Sequence, residues 1–302
     1  MTLDRVNRYK HVSGLTVHCA RRISMVINFE FGETANSRAF LQNYPDFLAT
    51  FDFFMNTARK CFGRAAPFRN RLDEISFNLG MTCLEDFLEI AFVCVHGIGT
   101  APSKLIRGLY ERTVALAYMS EHPEKAERFV RFAAIQEHRA LEASLRLIGE
   151  AEFNRSAPTG NSAAEIRERY QKIKGEFQVT NCKKCKTTRT QTSWDMDVPA
   201  MVRDLGTPYD SLFLVAYTNA NFSIHATLAS ALQNEDEAAT VTTRQKDSKL
   251  MLIIAMQLMV QVLEIQQRVF GLDIVGDLDQ CTSAFSSLWE ADFRADDAGM
   301  RP

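Results

Sequence analysis

A chain of 302 residues with 46% hydrophobic content is long enough to bury a sizeable core, which excludes a disordered polymer. Its formal net charge of −2 excludes a protein that coats nucleic acid or acidic lipid through bulk charge, while leaving room for a local patch. The opening Met1–Lys10 segment mixes charges and has no apolar stretch, so a cleaved secretory leader is not expected and the expected compartment is the cytoplasm.

Helical periodicity runs through almost the whole sequence, and no alternating stretch is long enough to stand out as a strand. The expected fold is all-α, a multi-helix bundle of about eight to ten helices. The first helices are expected over 3–29, with a break near Ser13-Gly14, and over 37–62, where Pro45 bends or restarts the chain. A third covers 72–96 and ends at Gly97-Ile98-Gly99. A fourth starts at Ala101-Pro102 and stops at His122-Pro123, and a fifth runs on to Ile148 before Gly149, so these two are expected as an antiparallel hairpin. Residues 154–161 read as a linker and 162–177 as a charged helix, after which periodicity lapses until 193. A short helix at 198–205 leads through Gly206-Thr207-Pro208 into a longer one, and two more, 243–270 and 275–293, close the bundle. The simplest organisation is one helical domain over 1–302, with 150–195 as an irregular basic insertion. The apolar run Leu250–Leu263 holds Gln257 and Gln261 and is read as a core helix too short to span a bilayer, so no membrane partner is expected.

Four features carry chemistry. The helix from Tyr209 places Tyr217, Thr218, Asn221 and His225 close together on its surface, and buried polar groups must find partners. His225 has the chemistry of an acid or base near neutral pH, or equally of a hydrogen-bonded core histidine. Arg107 and Glu111 lie four apart on an otherwise apolar helix, where they suit either a bidentate anion contact with Glu111 as orienter or base, or an internal ion pair. The two helices are expected side by side with their polar groups within hydrogen-bond reach. Between Arg167 and Arg189 eight basic residues face only Glu168 and Glu176, so Lys183, Lys184 and Lys186 mark the place where a nucleic acid or nucleotide partner would touch, or else a solvated loop. Cys182 and Cys185 in the same stretch have the spacing of half a zinc site, which needs two more ligands, supplied for example across a homo-oligomer. The other cysteines, Cys19, Cys61, Cys83, Cys94 and Cys281, are scattered in apolar helical patterns rather than at a disulfide framework's spacing, as in a reducing compartment.

Two blocks together carry a resemblance. Leu105-Ile106-Arg107-Gly108-Leu109-Tyr110-Glu111, then Leu116-Ala117-Tyr118-Met119 and the Pro123–Phe129 helix, form the first; Trp194, Leu205-Gly206, Tyr209, Tyr217 and His225 form the second. Over about residues 80–235 the chain resembles a bacterial helical family catalogued as domain of unknown function 5677. The resemblance implies a helical fold and a distant kinship with prokaryotic conflict proteins, among them helical ribonucleases with an Arg and a His a few residues apart on one helix. This chain departs from that nuclease pattern: Thr218 stands where relatives often carry Arg, and no Arg precedes His225 at the nuclease spacing. The expectation is therefore a bundle whose polar interior around Arg107, Glu111, Asn221 and His225 binds or cleaves an anionic, nucleotide-like ligand such as RNA, in a setting of phage defence. The competing expectation is a non-enzymatic interaction or scaffold module.

Overall fold

The computed structural model describes residues 34–63, 68–97, 101–181, 185, 187–221 and 241–299, with side chains in the last stretch described over 248–290. The helix expected at 3–29 lies outside these residues. The described helices are α1 (Ala35–Asn43), α2 (Phe47–Phe62), α3 (Arg71–Val95), α4 (Ala101–Glu121), α5 (Ala126–Ser156), α6 (Ala163–Ile173), α7 (Val198–Leu205), α8 (Tyr209–Leu212), α9 (Val241–Phe270) and α10 (Val275–Gly299). A π-helical segment, Phe213–Asn219, continues directly from α8. Pro45 separates α1 from α2, as a residue without an amide hydrogen does inside a helix.

Local chemistry sets the ends. Asn70 accepts the Asp73 amide at 2.9 Å to start α3, and Gly97 closes it at φ 64, a left-handed conformation that glycine adopts without steric cost. Ser162 and Glu165 form a reciprocal capping box on α6, and Asp197 caps α7 by accepting the Ala200 amide. Gly149 takes φ 76, so α5 kinks there and resumes to Ser156 instead of ending.

The core forms where α9 lies against α3 and α4, with α10 and α2 beside it. Ala255, Leu258, Met259, Val262, Leu263 and Ile265 of α9 are completely buried. Close approach of α3 and α9 depends on Gly80, where a Cβ would lie 2.7 Å from Gln266 Nε2 and 2.8 Å from the Phe62 ring. Gln266 in turn donates to Ser76 O at 2.7 Å. The expectation that the α9 run is too short to span a bilayer is corrected: Ser248–Phe270, 23 residues, is long and apolar enough on length and composition. The role expected of it agrees with its surroundings, since its apolar side chains pack on α3 and α4.

Two expectations about neighbours change. α4 and α5 share little contact and are not a packed hairpin; α5 packs mainly on α6, where Leu141, Ala163 and Ile166 form a small apolar cluster of their own. The 178–193 stretch is not irregular throughout: β1 (Gln178–Thr180) and β2 (Thr188–Thr190) pair antiparallel with Val179 opposite Arg189. Three-residue strands are too short for alternation to register in sequence.

Candidate functional site

The seam between α4 and the π-helical segment gathers the first group of expected residues. Arg107 donates from Nε to Glu111 Oε1 at 2.9 Å, and its guanidinium carbon lies 4.9 Å from the centroid of the Tyr217 ring. Tyr217 stacks on Phe213 at 5.0 Å and 24°, and Tyr110 of α4 stands 6.2 Å from Tyr217. The Tyr110 hydroxyl is buried and donates to Tyr209 O at 2.7 Å; burial pushes its pKa up. Arg107 thus keeps 22% of its side-chain surface exposed while its head is held from two sides. A π turn widens the helix and shifts the angular phase of the residues beyond it, so Tyr217, Thr218 and Asn221 do not share the face that uniform α geometry assigns them.

α4 and the π-helical segment lie side by side as expected; of the expected hydrogen bonding, the part that involves Asn221 is absent and the part that involves His225 lies outside the described residues. Arg107 meets a ring face, and among the described residues no hydrogen bond joins Asn221 to Arg107 or Glu111. Asn221 is half-buried at the end of the described stretch. His225 lies outside the described residues, as do Lys183, Lys184, Lys186 and Cys182. Cys185 is exposed, with Sγ 3.2 Å from Thr187 Oγ1, and no cluster of metal-ligand residues occurs among the described residues. Within the basic insertion, Arg167 is bidentate to Glu150, Arg169 bonds Glu137, and Lys172 pairs with Glu168. Two of these acids sit on α5, outside the 167–189 window, so counting charge within the window overstated the free basic patch.

A second cluster joins other residues of the two sequence blocks. Tyr118 donates to Asp195 Oδ2 at 3.0 Å, Lys125 Nζ bonds Asp195 Oδ1 at 3.0 Å, and Arg128 Nε donates to Trp194 O at 2.7 Å. Arg128 also bonds Glu176 O and the Gln191 side chain while its guanidinium lies 4.4 Å from the Phe177 ring centre. Trp194 packs edge-on against Phe129 and Tyr118. Burial first, then the Asp195 carboxylate, pushes the Tyr118 hydroxyl up to about 12. With its donors engaged in this way, the cluster is a fastening that ties the end of the insertion to α4 and α5. The two sequence blocks meet in it.

A cleft of ≈ 380 Å³ opens between the start of α8 and the paired α9 and α10, and its walls include neither Arg107 nor Glu111. Sequence reasoning missed it, although its signal was visible: Gln257, Gln261 and Glu264 recur at four and three along an otherwise apolar helix. Burial, only partly offset by Arg268, raises the Glu264 pKa.

A helical protein built on a buried central helix, with an aromatic seam at a π-helical segment and a fastened insertion, is the class that these features define. The chain belongs to the family of unknown function DUF5677, whose match spans residues 73–239 and so takes in the seam and the fastening alike. No curated protein and no solved structure matches the chain. The family carries no assigned activity, so the kinship with ribonucleases gains no support from the match.

Proposed function

We propose that the protein binds a small anionic ligand bearing a ring, of the nucleotide type, at the seam of α4 and the π-helical segment. One observation carries this reading: the Arg107 guanidinium is pre-positioned by Glu111 at 2.9 Å and by the Tyr217 ring at 4.9 Å while remaining partly exposed. In this reading Arg107 meets the anion, Glu111 orients Arg107, and the Tyr217 ring, itself stacked on Phe213, backs the guanidinium and gives the ligand's ring an aromatic edge. Asn221 supplies polar contacts one turn beyond. His225 has the chemistry of an acid or base should the ligand be a phosphodiester such as RNA. π-helical turns recur at functional sites because they widen the backbone locally.

Titrating the full-length protein with adenosine monophosphate tests it. Arg107→Ala should weaken binding by about tenfold or more, the value of one charge-assisted hydrogen bond, while costing at most about 1 kcal/mol of stability. A second reading, a non-enzymatic interaction module, is favoured by the fact that Glu111 already neutralises Arg107 within one helix. Unchanged nucleotide affinity in Arg107→Ala, with stability lost, would assign the pair to that clamp role.

A further inference from the structure

The cleft between α8, α9 and α10 differs in character from the seam and is independent of the reading given to it. Met256 and Phe285 give it apolar walls, Gln257, Gln261 and Glu264 give it amides and a carboxyl, and among the described residues that line it none is basic. Trp289, only 2% exposed, also lines it. Among the described residues the buried indole Nε1–H of Trp289 has no hydrogen-bond acceptor, although the ring itself packs edge-on against Tyr44 at 4.7 Å. A buried donor left without an acceptor costs about 1–3 kcal/mol, and tryptophan usually avoids this when buried. Lys249 lies 5.8 Å from the Trp289 ring centre but is not one of the residues lining the cleft.

We infer that this cleft is a binding site for a small neutral or cationic molecule that carries an apolar ring, to lie against Met256, Phe285 and Trp289, and a donor for Glu264. Volume and lining both suit such a ligand, since small-molecule sites of about 300–1,000 Å³ combine apolar walls with a few convergent polar groups. Its sign favours cations over anions: Glu264 is the charged group among the described lining residues, and Arg268, which acts on it from outside the lining, is already paired with Glu121 at 3.1 Å. The seam and the cleft therefore take opposite charges.

Three probes with the same ring and different charge decide the matter by calorimetric titration of the full-length protein: phenylalaninamide (cation), N-acetylphenylalaninamide (neutral) and N-acetylphenylalanine (anion). Phenylalaninamide should saturate with a dissociation constant below about 1 mM, the neutral probe should bind more weakly, and the anion should give no saturable heat. Glu264→Gln should weaken phenylalaninamide by about tenfold while leaving the neutral probe within about twofold. Ser286→Phe, which fills the cleft from α10, should abolish binding of both. Absence of saturable binding by phenylalaninamide, equal binding of the anion, or undiminished binding in Ser286→Phe would each overturn the proposal.

Discussion

Arg107 and Glu264 show how two charged groups on apolar helices come to opposite uses. Arg107 is held in place by a carboxylate one turn away and a ring on the next element. Glu264 has weaker compensation: burial outweighs the pull of Arg268 and the Gln261 hydrogen bond, and Asp279 on α10 adds to the upward shift. The other groups near it are Tyr209 on α8, itself pushed up to about 12 by burial, and Glu121 of α4, which pairs with Arg268 at 3.1 Å. A carboxyl with a raised folded pKa holds its proton more tightly in the native state. Its stabilising contribution is full below the unfolded value and is lost as pH rises through the folded one. Cation binding runs the other way. Phenylalaninamide affinity should therefore fall as pH drops through the raised Glu264 pKa, above the ordinary value of about 4.3, and fall again when the ligand amine deprotonates near about 7.7. Glu264→Gln should erase the acid limb and leave the alkaline one. Persistence of the acid limb in that variant would assign it to another group.

The helices themselves were readable because their apolar periodicity, caps and breakers agree. Asn70, Pro45 and Gly97 each sit where an end falls. The π-helical segment was not readable, since the same residues satisfy an α pattern of apolar positions. Proximity of Arg107 to Tyr217 could be anticipated from polar positions on two apolar helices; of the cleft only the α9 wall, Gln257, Gln261 and Glu264, was marked in the sequence, because Trp289 and Ser211 join it only through tertiary contact. Arg128 illustrates the same limit. It lies in a motif-like helix start, yet its partners Glu176, Gln191 and Trp194 fall in or directly beside the stretch where periodicity lapses. Arg128→Ala removes several bonds to one planar fork and should cost about 2–3 kcal/mol. Arg128→Lys should restore little of it, since an ammonium cannot span the same acceptors. In a Trp289→Phe background, Trp194 emission should shift to the red in Arg128→Ala. Unchanged emission would mean that Phe129 and Tyr118 hold Trp194 without the arginine.

Two apolar clusters of unequal size divide the described residues. One surrounds α9 and draws on α2, α3, α4, α7 and α10; the other is limited to Leu141, Ala163 and Ile166, with Leu145 and Phe153 alongside. The smaller one holds α6 against the far part of α5, helped by Arg167–Glu150 and Arg169–Glu137. Such partly exposed ion pairs are worth about 0–1 kcal/mol each and less in salt. So few buried contacts cannot match the protection of a fully buried helix, and local opening draws on the regions with least burial. Hydrogen exchange followed by mass spectrometry should show α6 amides exchanging well before those of α9 at low salt, with the gap widening at high salt as the ion pairs are screened. Opening would also release Arg167 and Arg169 from Glu150 and Glu137, so an anionic partner at the insertion must compete with those carboxylates. Short RNA should then accelerate α6 exchange if it captures the released arginines. Equal protection of α6 and α9 at both salt concentrations would mean that the insertion and the bundle open only together, and that these arginines are not available to a partner while the protein is folded.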